Sequence, residues 1–234
     1  MSLVVPYLGR NNWKGKDLLL HKNLVHTNHL HRAVICYGIK DSTGECQYLT
    51  KMEAKQSGYS LDLVESEALQ NLVYLDQFEE SDWVPVITES QGQKVTLLTK
   101  TGSDLTASNI LRSDILNDLQ HYFEAPNVAI AVPNRHTIIA CPKPVLMLDF
   151  LKRKYQESIS RGYESVSDMI YLAKGGQLIS AAPYPGTEDL VDRSREDIQT
   201  LPLKKSSVLT SKKRIRPKTI INIEKKKKVS LKAR

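Results

Sequence analysis

Hydrophobic and polar positions change period along the chain, and each change marks an element. Residues 30–39 (LHRAVICYGI) collect β-branched and aromatic side chains, the turn segment 41–45 (DSTGE) follows, and residues 46–50 return, which predicts a hairpin. After Ser60 the period lengthens. Leu61, Val64, Ala68, Leu69 and Leu72 recur every three or four residues, with Asp62 and Glu65 in the first turn, so a helix capped by Ser60 and packed along one face is expected. Residues 84–88 and 94–100, joined by ESQGQ at 89–93, form a second predicted hairpin.

Residues 103–123 read as helical with a break near Ser113, whose side chain is placed to cap the run Ile115, Leu116, Leu119, Tyr122 and Phe123. The first pattern then returns. Strands are expected at 127–132 and 137–141 around the turn PNRH. A helix follows over 144–159, with Val145, Leu148, Leu151, Tyr155 and Ile159 on one side, facing Val128, Ile130, Ile138 and Ala140. Residues 169–173 and 177–181 complete a hairpin through Gly175-Gly176. Strand, strand, helix, strand, strand thus occurs twice, over about 30–100 and 127–182. Hairpins without long parallel crossovers predict the α+β class, with two ββαββ-like units, mainly antiparallel sheets and packed helices.

Composition narrows the class. Hydrophobic residues make up 41% and charged ones 25%, an ordinary globular balance that excludes collagen, a wholly disordered chain and a coiled coil. No stretch approaches the roughly 20 apolar residues of a membrane helix, and the first residues lack the order of a signal peptide. Three cysteines without a CxxC pair suit a reducing compartment, so a cytoplasmic protein without a membrane partner is expected.

Charge divides the chain more sharply than its total of +7 suggests. Residues 203–234 hold thirteen Lys and Arg against Glu224 alone, a charge of +12, and the preceding 202 residues sum to −5. The expected organisation is a folded body over 1–186, an acidic linker over 187–202 and a basic tail over 203–234. The tail carries two blocks, Lys212, Lys213, Arg214, Arg216 and Lys218, then Lys225, Lys226, Lys227 and Lys228, around the apolar stretch 219–223. Runs of like charge repel and do not bury, which predicts a disordered segment. Three roles stay open: contact with nucleic acid phosphates or another polyanion by counterion release, docking on the acidic body with 219–223 as an added strand, or a solvated tail. The blocks also match the composition of a nuclear import signal.

Five short segments occur in order: VVPYL (4–8), YGIKD (37–41), ALQNL (68–72), TASNIL (106–111) and AVPNR (131–135). Together they resemble the YtpQ-like family of uncharacterised bacterial cytosolic proteins, over roughly residues 1–182. The resemblance implies a cytosolic compartment and a domain extent, and no reaction. The family commonly has an acidic residue after the Pro-x-Arg turn, where this chain has His136.

Several residues invite a chemical reading. His21, His26, His29 and His31 cluster within eleven residues, but a helix puts 26 and 29 on one face without 31, and a strand puts 29 and 31 on one face without 26. Neither a Cys pair nor HExxH accompanies them, so no metal site is assigned, and a surface or solvent-lined loop and a pH-sensitive contact are the other readings. Arg135 and Asn134 lie in a hairpin turn. The Arg is either solvated or a fixed guanidinium for a carboxylate or phosphate, and Asn suits left-handed turn geometry. Asn71, near the end of its helix, either braces a loop or contacts a ligand. Cys36 and Cys46 read as small buried hydrophobes. The pairs Glu79-Glu80 and Asp189 with Asp192 lie in polar segments expected to be exposed. GxSxG, the P-loop and the Rossmann glycine pattern are absent from the sequence. The expected function is therefore an intracellular binding module for a protein partner, without a cofactor, its tail adding affinity for a polyanion. The alternative is an enzyme with a site near Arg135 and Asn71.

Overall fold

A computed structural model describes residues 2–11, 15–25, 33–79, 81–90, 92–163 and 165–183. His26, His29, His31, Glu80, Asp189, Asp192, the linker and the whole basic tail lie outside the described residues. The fold is α+β, with helices and two antiparallel sheets. The first sheet is built on β3 (Ala33–Lys40). Against it run β1 (Leu3–Arg10), in register from Leu3 opposite Lys40 to Arg10 opposite Ala33, and the short β2 (His21–Asn23) and β4 (Cys46–Tyr48). Strand β4 ends sooner than its sequence suggests because Thr50 caps a helix. Its side chain accepts from the Glu53 N–H while the Glu53 carboxylate accepts from the Thr50 N–H, a capping box that opens α1 (Lys51–Gln56). Ser60 caps α2 (Leu61–Asp76) through the Leu63 N–H at 3.2 Å, and Val64, Ala68 and Leu72 are its buried face.

The second sheet has six strands: β5 (Trp83–Ser90), β6 (Gln93–Thr101), β7 (Val128–Asn134), β8 (Thr137–Cys141), β9 (Met169–Lys174) and β10 (Gln177–Pro183). They lie in the order β10-β9-β7-β8-β6-β5. A 3₁₀ turn (Thr106–Leu111) leads to α3 (Ser113–Tyr122), whose cap position is Arg112, without a side-chain cap bond, rather than Ser113. A second 3₁₀ turn (Pro144–Met147) runs into α4 (Leu148–Ser160). Gly175 and Gly176 both have positive φ, 57° and 71°, as the tight β9–β10 turn requires.

Strand β7 is buried along its whole length because both faces are covered. Its larger residues Val128, Ile130 and Val132, with Ile138 and Ala140 of β8, meet Leu8, Ile35 and Tyr37 of the first sheet, Val64 of α2 and Leu116 and Leu119 of α3. Its small residues Ala129 and Ala131, with Ile139 and Cys141, receive Met147, Phe150, Leu151 and Tyr155. The helix therefore packs on the opposite face of the sheet from the one its sequence suggests, and Leu148 is only half-buried. Alanines at 129 and 131 let the helix approach closely.

The strand-strand-helix-strand-strand order recurs, but the sheets do not follow it. The β5–β6 hairpin joins β8 through pairs running from Leu98 opposite Ala140 to Thr101 opposite Thr137, so the last two strands of the first unit belong to the second sheet. The two expected units therefore share one core.

Candidate functional site

All five segments that carry the family resemblance meet at β1, which among the described residues is an edge strand: 37–40 pair with it directly, and the other three reach it by side chains. Two of the strand's carbonyls are covered by side chains. The Asn71 amide on α2 donates to the Val4 carbonyl at 2.9 Å, and the buried Ser108 hydroxyl donates to the Pro6 carbonyl at 2.8 Å. Pro6 has no N–H to leave unpaired, which fits an edge position. The β7–β8 turn joins through the Ala107 N–H, which donates to the Arg135 carbonyl at 2.9 Å.

Arg135 is half-buried, in contrast to a solvated turn residue. Its guanidinium carbon lies 5.9 Å from the Tyr7 ring centroid and 6.0 Å from that of Tyr48, and the two rings are edge to face at 5.8 Å. Cation–π attraction therefore ties the second sheet to the tyrosine-bearing side of the first. Cys46 Sγ occupies the space over Gly38, 2.5 Å from where a β-carbon would stand, so any larger residue there would displace the Cys46 side chain. Burial, then the neighbouring Cys46 and Asp104, push the Tyr7 phenol far above its ordinary value. Burial also raises the Cys36 thiol to about 11 against the lowering charges of Arg135 and Lys16, and it raises Cys46 as well. At neutral pH both thiols stay protonated, a state without nucleophilic reactivity.

Asn134 and Arg135 are adjacent but serve different neighbours. Buried Asn134 donates to Ser158 Oγ on α4 at 2.6 Å, and its Oδ1 accepts from the His136 N–H at 2.9 Å. The left-handed geometry expected of it is not used. Among the described residues other than glycine, positive φ belongs to Glu124, at 48°. Asn71 and Arg135 both contact β1, at Val4 and Tyr7, roughly 10 Å apart at a strand's rise per residue. Both asparagine amides are engaged in holding the fold.

A cluster that the sequence reading missed centres on Asp76 at the end of α2. Its Oδ1 accepts from Lys100 at 2.7 Å and Asn109 at 3.2 Å, its Oδ2 accepts from Arg112 at 2.6 Å, and Arg112 also reaches Asp114 at 2.6 Å. Lys100 is only 5% exposed. Burial raises the Asp76 carboxyl, but the hydrogen bonds and charges of Lys100 and then Arg112 outweigh it and hold the group below the ordinary carboxylate range. A buried lysine needs such a partner, and the arrangement joins α2, β6 and the segment leading into α3. The polar run Thr106, Ser108 and Asn109 is the available signal, because hydroxyls and amides beside apolar Ile110 suit a buried, hydrogen-bonded turn.

His21 Nδ1 lies 3.0 Å from the Leu19 carbonyl. Among the described residues no group of three or more His, Cys, Asp and Glu is placed to hold a metal ion. Glu79 is half-buried and accepts from Ser103 and from Ser81, in contrast to the exposed carboxylate expected. An open hollow of about 360 Å³ lies beside α3, lined by Asn117, Gln120, His121, Glu124 and neighbours. Gln120 there donates to the Pro126 carbonyl at 2.5 Å and accepts from the Gly176 N–H at 3.3 Å. No helix among the described residues is long and apolar enough to cross a membrane. No family model, curated protein or solved structure matches the chain.

Proposed function

We propose that the chain is an intracellular binding module, a folded body for a protein partner joined to a basic segment that adds sequence-independent affinity for nucleic acid or another polyanion. The observation that carries this reading is the segregation of charge, +12 over residues 203–234 against −5 over the rest. A segment of that charge releases condensed counterions when it meets phosphates, and the acidic body opposes the same ligand. The alternative, an enzyme with its site near Arg135 and Asn71, gains no support from their contacts: Asn71 covers a strand edge and Arg135 stacks on two tyrosines. Membership of the YtpQ-like family is part of the proposal, supported by the meeting of its five segments around β1.

The test compares the full chain with a chain ending at Gly186, each titrated with random-sequence duplex DNA at 50 mM salt. Binding by the full chain alone is expected. Equal binding by the shortened chain would move the site to the body, and no binding by either would remove the polyanion from the reading.

A further inference from the structure

Exposed aromatic side chains gather at the outer end of α2. Tyr74 is 52% and Phe78 68% exposed, and their rings stand 5.0 Å apart at 67°. Leu63, Glu67, Tyr74 and Phe78 fall at helical spacing along one outward stripe, and Leu63 is 50% exposed. The surrounding sequence is one-sided: residues 61–82 hold seven acids and no base. Lys100 and Arg112 neutralise Asp76 and Lys22 pairs with Glu65, both on the side of the helix away from the stripe, which leaves five of the seven acids. The last turn of α2 itself has no basic residue, so its partial negative charge also favours an incoming cation. Elsewhere the chain supplies cations to its own rings, Arg135 to Tyr7 and Tyr48, Arg153 and Lys154 to Phe150. Among the described residues none stands over Tyr74 or Phe78.

From this geometry we infer that the Tyr74–Phe78 stripe of α2 docks an arginine-bearing amphipathic segment of a partner protein, its guanidinium groups on the two rings and its apolar side along Leu63. The inference rests on the reading of the chain as a binding module and names the chemistry of its protein partner. Charge complementarity selects an arginine-bearing occupant. A second copy would bring Glu67 and its neighbours against their own like charges, and a polyanion would be repelled.

The test titrates the full chain at 50 mM salt with a synthetic peptide of Leu, Ala and Arg spaced as an amphipathic helix, and with the same peptide carrying Glu for Arg. Binding of the Arg peptide alone is expected. The double variant Tyr74→Ser with Phe78→Ser should weaken it roughly tenfold or more, since each exposed cation–π contact is worth a factor of about two to five and apolar contact is lost besides. Tyr74→Phe keeps the ring and should stay within about threefold, and Ile87→Ser, exposed on β5, should change nothing. No binding of the Arg peptide, equal binding of the Glu peptide, or an unaffected double variant would overturn the inference. So would self-association abolished by the double variant, which would make a second copy the occupant. A many-fold rise in Arg-peptide affinity for the chain ending at Gly186 would make residues 203–234 the occupant and overturn the assignment to a partner. Duplex DNA titrated into the unaltered full chain separates the two readings: DNA binding there with no Arg-peptide binding sinks this inference alone.

Discussion

The hydroxyl of Ser108 reaches the carbonyl of Pro6 at 2.8 Å across 102 residues of sequence, sealing the open side of an edge strand. With the Asn71 amide on Val4, it places hydrogen-bond donors where an incoming strand would otherwise pair. The segments that look most like a signature are thus the ones that close β1.

Removing that donor should be costly. Ser108 is fully buried, so Ser108→Ala leaves the Pro6 carbonyl without its partner and should destabilise the fold by about 1–3 kcal/mol. Asn71 is half-buried, so water can replace its amide, and Asn71→Ala should cost less. Urea unfolding of the two variants checks the order. A larger loss for Asn71→Ala would mean that α2 depends on this bond more than burial indicates.

The Asp76 cluster predicts how stability responds to acid. The folded carboxyl is held below its ordinary value near 4, so its stabilising contribution is complete above that value and is lost as pH falls through the folded one. Asp114, lowered first by its hydrogen bond to Arg112, acts in the same direction. Asp76→Asn should flatten the decline in unfolding free energy between about pH 5 and pH 2. At pH 7 it should cost about 3–5 kcal/mol, because Lys100 stays buried without a carboxylate. An unchanged acid profile in the variant would show that other carboxylates govern it.

Packing at α4 separates two leucines that helical spacing alone puts together. Leu151 is fully buried against the Ala129 and Ala131 face, whereas Leu148 is half-buried. Leu151→Ala should cost about 2–5 kcal/mol as a cavity-forming change, and Leu148→Ala about 1 kcal/mol or less. Equal losses would indicate that α4 is rotated about its axis relative to this description.

Element type was legible in the sequence where period and caps agreed, as at Ser60 with Leu61, Val64 and Ala68, and at the Gly175-Gly176 turn. What period could not supply was facing. β7 is buried on both sides, so its sequence VAIAVPN lacks the apolar–polar alternation that marks a half-buried strand, and a shift of one residue exchanges its faces. Only the size alternation of Val and Ile with Ala carried that information. β1 was hidden by Pro6, which argues against a central strand and is tolerated because the strand lies at an edge. Sheet membership was equally out of reach, because the β6–β8 pairing joins residues 36 or more apart that share no local signal. Among the candidate residues, Arg135 read as a turn residue because nothing local announces Tyr7 and Tyr48 beneath it. Asp76 read as an ordinary helix-end acid because its partners come from β6 and the approach to α3.

The strength of salt dependence is the sharpest check on the basic segment. Each phosphate neutralised on duplex DNA contributes a slope of about −0.9 in log affinity against log salt. Thirteen basic side chains on residues 203–234 leave room for roughly six to ten such contacts, so affinity should fall by about 10³–10⁵ between 50 and 200 mM salt. Sequence should not matter, because lysine and arginine runs without interleaved aromatics offer phosphates a charge and bases no stacking surface. Replacing Lys225, Lys226, Lys227 and Lys228 by Gln should lower the slope by up to about 3.6 and leave the remaining block, centred on Arg214 and Arg216, to bind more weakly. Random and defined duplexes titrated at four salt concentrations measure both quantities. A slope near −1, or a clear preference for one sequence, would place recognition in a few specific contacts instead of a charged segment.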